Sequence, residues 1–143
     1  MWDVIVSSCR SFPIANVRYL ELVPMMSMPI QQWADALEKC RMVEEVRFQG
    51  GPDNTLDFCT ALATHVDQEG GALLENLRCL TLDVFLDEES KDSFYKTFLD
   101  QLGTRQKARA IQTVCLVPRM MQEDEWFIRQ LEEIVPQVVY ESR

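Results

Sequence analysis

The sequence predicts an α/β fold: an open right-handed solenoid with a parallel sheet on one face and helices on the other. Three observations lead there. A short apolar pattern (apolar, two variable residues, apolar, one variable residue, apolar) occurs five times. The stretches between its copies carry helical periodicity. Within each copy, the apolar residues fall on one side of a strand only.

The copies are Val17–Leu22, Val43–Phe48, Leu77–Leu82, Ile111–Leu116 and Val135–Tyr140, and successive starts lie 26, 34, 34 and 24 residues apart. Periods in that range mark stacked repeats. After the first copy, Ile30, Trp33, Ala34 and Leu37 share a helix face that Cys40 extends, with Ser27 expected as N-cap and Pro29 in the first turn. After the second, Gly50-Gly51-Pro52-Asp53-Asn54 reads as a loop, with Asp53 or Asn54 capping the stripe Leu56, Cys59, Leu62, Ala63 and Val66. Gly70-Gly71 is expected to end that helix. The third helix starts at Asp87-Glu88-Glu89-Ser90, carries Phe94, Tyr95, Phe98, Leu99 and Leu102, and is expected to stop at Gly103. The fourth starts at Glu123-Asp124-Glu125 and carries Trp126, Phe127, Leu131 and Ile134. Both acid runs read as helix starts, where the helix dipole favours negative charge.

Strands separated by helical crossovers run parallel, with right-handed connections. A doubly wound sheet is covered on both faces, so its strands are apolar throughout. Here Leu20 and Leu22 alternate with Tyr19 and Glu21, Val46 and Phe48 with Glu45 and Arg47, and Leu80 and Leu82 with Cys79, Thr81 and Asp83. One face meets helices and the other is left for solvent or a partner. Residues 1–143 then form a single domain. Trp2–Arg10 matches Trp33–Arg41 in its Trp, Cys and Arg spacing, so the first segment is expected to be a helix with no strand before it. No polar cap is evident at either end, which predicts a piece of a longer solenoid, or ends covered by flanking repeats or self-association.

Composition narrows the function classes. The net charge of −9 opposes nucleic-acid phosphates and anionic membranes. No apolar run is long enough to span a bilayer, and the start is a poor secretory signal. Arg105, Lys107 and Arg109 form the main basic cluster, read as a solvated helix end. The cysteines are Cys9, Cys40, Cys59, Cys79 and Cys115. Their odd number and wide spacing predict reduced, mostly buried thiols, hence a cytoplasmic or nuclear location. With His65 the lone histidine, no zinc site is expected.

The recurring strand resembles the strand segment of leucine-rich repeats. The Asn or Cys that normally follows such a strand is replaced by Met25, Gly51 and Phe85 in the first three copies. Irregular repeats such as Asn16–Leu22 and Glu75–Leu82, set between long helices, are similar to those in the C-terminal region of fungal F-box proteins. The likeness runs from about Trp2 to Tyr140. It implies a leucine-rich-repeat-like module serving as the substrate-receptor part of a ubiquitin-ligase component. The F-box itself is absent from these residues.

The expected role is therefore a non-catalytic protein-interaction module without cofactors. If the strands stack in register, three rows cross the polar face: Tyr19, Glu45, Cys79, Thr113 and Gln137; Glu21, Arg47, Thr81, Cys115 and Val139; and Val23, Gln49, Asp83, Val117 and Glu141. Tyr19, Glu21, Glu45, Arg47, Thr81, Asp83, Thr113 and Val117 are the candidate contact residues of this concave face. Met25, Met26, Met28, Met120 and Met121 follow strands and read as loop packing, with an adaptable binding rim as the functional option. The alternative is a small α/β enzyme with its site at the C-terminal strand ends, near Gln49, Asp83, Asp87 and Arg119. Against it, no Gly-x-Gly-x-x-Gly, Gly-x-x-x-x-Gly-Lys or Gly-x-Ser-x-Gly pattern is present, and His65 reads as a helix-edge residue.

Overall fold

A computed structural model describes residues 3–6, 17–24, 26–64 and 73–142. The fold is α/β. Six strands form one all-parallel sheet in chain order: β1 (Asp3–Val6), β2 (Tyr19–Leu22), β3 (Glu45–Gly50), β4 (Cys79–Val84), β5 (Thr113–Leu116) and β6 (Gln137–Tyr140). Between them lie α1 (Ile30–Leu37), α2 (Pro52–Thr64), α3 (Lys91–Ala108), α4 (Arg119–Glu123) and α5 (Glu125–Ile134). All five expected strands are present and pair as parallel neighbours.

The register repeats without stagger, placing Tyr19, Glu45, Cys79, Thr113 and Gln137 side by side. The alternation then sorts the sheet into two faces. Leu20, Leu22, Val46, Phe48, Leu80, Leu82, Val84, Val114 and Leu116 are buried against the helices. Trp33 of α1, Phe48 of β3 and Phe58 of α2 form an aromatic triangle with centroids 4.9–5.6 Å apart. Tyr95 stacks on Phe127 at 4.2 Å and joins α3 to α5. Such ring pairs add about 0.5–1.5 kcal/mol beyond area burial. The first apolar residue of every copy (Val17, Val43, Leu77, Ile111 and Val135) lies just before its strand and is buried too.

Several local expectations are corrected. Residues 3–6 form strand β1, not a helix, and pair with β2. Val4-Ile5-Val6 is a run of β-branched residues, and this outweighs the Trp and Cys spacing. The N-cap of α1 is Pro29 rather than Ser27. Helix α2 begins at Pro52, so neither Asp53 nor Asn54 precedes it. Gly103 does not end α3, which continues to Ala108. A mid-helix glycine costs about 1 kcal/mol, and the burial of Leu102 and Arg105 on either side offsets it. The chain between β5 and β6 also holds an unforeseen helix, α4, before α5.

The basic cluster needs the largest correction. Lys107 and Arg109 are exposed, but Arg105 is 1% exposed. Its Nε donates to the Arg109 carbonyl at 3.0 Å, Nη1 to the carbonyls of Leu62 (3.4 Å) and Leu73, and Nη2 to that of Leu74 at 2.7 Å. Burial, with Arg109 as the lesser cause, brings its pKa down to about 10. One guanidinium thus fastens the end of α2 and the approach to β4 onto α3.

Cys40, Cys59 and Cys115 are buried, Cys79 is half-buried, and all four are free thiols. Burial pushes the Cys59 thiol up to about 12. Cys9, Met25, His65 and Gly70-Gly71 lie outside the described residues. Among the described residues, no helix is long and apolar enough to cross a membrane, and no group of three or more His, Cys, Asp or Glu is placed to hold a metal ion.

Candidate functional site

Period-two alternation sends every second strand residue to the face opposite the helices. The register aligns these residues into the first two rows read from the sequence, and pairs Gln49 with Asp83 in the third. Glu45 is exposed, and Tyr19, Glu21, Arg47, Thr81 and Thr113 are half-buried. Asp83 and Val117 are buried, so they form floor rather than contact surface. Thr113 Oγ1 donates to Gln137 Oε1 at 3.2 Å.

Arg47 organises this face. Its Nη1 reaches both carboxylate oxygens of Glu141, at 2.9 and 3.0 Å. On its other side, Nε is 3.9 Å from Glu21 Oε1. Arg47 sits on β3 and Glu141 just beyond β6, three inter-strand spacings away, or about 14 Å across a flat sheet. The contact therefore spans β4 and β5. Cys115 Sγ, on β5, is 3.8 Å from Glu141 Oε2. Burial pulls the Arg47 pKa down, but the hydrogen bond and charge of Glu141 outweigh it and hold the guanidinium above its ordinary value. The Cys115 thiol is raised, chiefly by burial and then by the Glu141 charge, and Cys79 is raised by burial and Glu45. Neither thiol is primed for nucleophilic attack, which needs a lowered pKa.

The residues considered for an α/β enzyme do not line one depression, although Gln49 and Asp83 are register partners. A depression of about 400 Å³ at the carboxyl ends of β5 and β6 is lined by Val117, Arg119, Gln122, Glu141 and Ser142. It includes Arg119 but not Gln49, Asp83 or Asp87. Gln122 is spent on structure, its Nε2 donating to the carbonyls of Leu116, Val117 and Glu141. Asp87 Oδ1 accepts from Ser90 N at 2.8 Å and Ser90 Oγ at 2.7 Å, which starts α3 and lowers the Asp87 pKa. Asp124, the N-cap position of α5, makes no side-chain cap bond there. It accepts instead from Tyr95 Oη at 2.5 Å and Lys91 Nζ at 3.3 Å. Burial, then Asp124, pushes the phenol pKa up, so Tyr95 stays a neutral donor. These acids start or brace helices.

The methionines divide. Met28 and Met121 are buried in the core, while Met26 is exposed. The Arg47–Glu141 pair was not foreseen from sequence, although both rows that contain it were. No family model matches the chain, and neither a curated protein nor a solved structure matches it.

Proposed function

We propose that the chain is a non-catalytic protein-interaction module, an open solenoid of irregular leucine-rich-repeat-like units that receives a partner protein on its polar sheet face. The F-box likeness extends this to the substrate-receiving part of a ubiquitin-ligase component. The observation that carries the reading is the half-buried polar face, crossed by aligned strands and holding Glu21, Arg47 and Glu141 in one charge network. Chain-order pairing with constant register supports the solenoid. A face carrying Glu21, Glu45 and Glu141 against Arg47 suits a partner of basic or mixed charge.

The test uses a partner captured by cross-linking from the source cell, then purified. Thr81→Trp, which blocks the middle of the polar face, and the Tyr19→Ala/Arg47→Ala pair abolish or weaken its binding. Arg129→Ala, on the exposed side of α5, leaves it unchanged. Partner binding indifferent to both polar-face variants refutes the assignment. A second reading, a small α/β enzyme, is favoured by one observation, the depression of about 400 Å³ at the strand ends. Under that reading Arg119→Ala abolishes turnover found in a substrate screen.

A further inference from the structure

The loops after β2, β3 and β4 meet at the carboxyl end of the sheet. Phe85 N donates to the Gly50 carbonyl at 2.9 Å, which seats the residue after β4 against the end of β3. On the other side of Gly50, Pro24 lies so near that a Cβ on the glycine would sit 3.4 Å from Pro24 Cγ. Asn54 fastens the rest of the β2 loop to α2: Nδ2 donates to the Met26 carbonyl at 3.3 Å, and Oδ1 accepts from Met28 N at 3.1 Å. Phe85 and the Met26 loop therefore flank the Gly50-Gly51 turn. Met26 is 74% exposed and Phe85 56%. A Cβ on Gly51 would meet nothing within 4 Å. The three loops thus bring two large exposed apolar residues, Met26 and Phe85, to one end of the sheet beside an open glycine, a surface called the saddle below.

The charge carried by these three loops has one sign. Residues 23–24, 26–29, 50–57 and 85–90 include Asp53, Asp57, Asp87, Glu88 and Glu89 and no lysine or arginine. The next base, Lys91, is committed to Glu88 at 3.0 Å and Asp124 at 3.3 Å. Asp53 and Asp57 stand one turn apart on α2. Burial and then the Asp53 charge raise the Asp57 pKa, a repulsion that a neighbouring cation would relieve.

We infer that this saddle is a second docking surface, distinct from the polar face, for a short partner segment in which lysine or arginine alternates with bulky apolar residues. The apolar side chains lie over Gly51 between Met26 and Phe85, and the cations meet Asp53, Asp57, Glu88 and Glu89. The acids oppose phosphate, which sets lipid headgroups and nucleic acids aside. Apolar anchors ringed by complementary charge are the anatomy of a protein-recognition site.

A random-peptide display selection tests this, with wild-type protein as bait and Gly51→Trp as counter-target. The enriched peptides are expected to interleave Lys or Arg with Leu, Phe or Trp. A synthetic peptide of that sequence binds wild type, weakens with added salt, and loses about tenfold or more in affinity on Gly51→Trp and on Phe85→Ser. Asp53→Lys, a surface change that leaves the core untouched, gives the same direction of loss should the tryptophan variant not fold. Thr81→Trp on the polar face leaves peptide binding intact. Acidic or neutral enriched peptides, no enrichment over the counter-target, or binding indifferent to Phe85→Ser and Asp53→Lys overturns the inference. Loss on Thr81→Trp alone also overturns it and moves the peptide to the polar face, where the proposed function stands.

Discussion

Replacing Arg105 with methionine keeps most of the side-chain volume and removes every donor. The guanidinium serves four carbonyls, those of Leu62, Leu73, Leu74 and Arg109. A hydrogen bond to a charged group contributes about 1.5–3 kcal/mol net of desolvation. The four acceptors share one side chain and the Leu62 contact is long at 3.4 Å, so the bonds are not additive. The expected loss is about 3 kcal/mol, the equivalent of one or two such bonds and a large share of the roughly 5–15 kcal/mol typical of a domain. Arg105→Lys loses at least as much. It keeps a buried cation but gives up the planar fork that lets one side chain reach both Leu73 and Leu74. A lysine introduced there also carries a pKa lowered by burial. Its variant therefore gains stability as pH rises through that lowered value towards the unfolded one, and the cost is full below it. Urea unfolding followed by circular dichroism measures both variants. A lysine variant within about 0.5 kcal/mol of wild type, less than a single net hydrogen bond, refutes the fork argument.

Arg47→Ala and Glu141→Gln each cost about 0.5–1 kcal/mol, since the pair is partly exposed; a double-mutant cycle by urea unfolding shows positive coupling at low salt that shrinks at high salt. Tyr95→Phe loses the bond to Asp124 and about 1 kcal/mol, and its thermal unfolding midpoint falls by several degrees. Asp87 has a lowered folded pKa, so its contribution is present above the unfolded value and is lost as pH falls through the folded one. Asp87→Asn abolishes that loss, read as a flatter acid limb in stability below the ordinary carboxylate range. Asp57→Asn removes a like charge one turn from Asp53 and stabilises the protein by about 0.3 kcal/mol at neutral pH, read as a higher urea midpoint.

The sheet was legible because its cause is periodic. Alternation along each copy decides which face is buried, and equivalent positions within the copies pair with one another, so the first two polar rows followed from the shared pattern. The first segment misled because a shared Trp and Cys spacing carries no energy, whereas Val4-Ile5-Val6 restricts the backbone to extended geometry. Arg105 was legible in principle. It falls three residues after Leu102 and seven after Phe98, on the same helical stripe. Its charge marked it as solvent-facing, because the carbonyls that accept its protons come from a connection whose path the sequence does not reveal. The Arg47–Glu141 pair joins residues 94 positions apart, and row assignment alone does not say that two side chains will bridge the strands between them. The saddle depends on three loops meeting, which no single loop announces.

Each strand pairs only with its neighbours in the chain, so the proposed solenoid is modular along its length. The segment from Cys79 to Gln112 carries one strand, its crossover helix and the link to the next. A tandem copy placed after it would slot in as a further rung, presenting the same edges to β4 and β5 that they now present to each other. Such a chain can grow or shrink by whole units through duplication and deletion. The width of its polar face is then a heritable variable, adjustable without redesigning the interior, while a rung inserted between β4 and β5 parts Arg47 from Glu141.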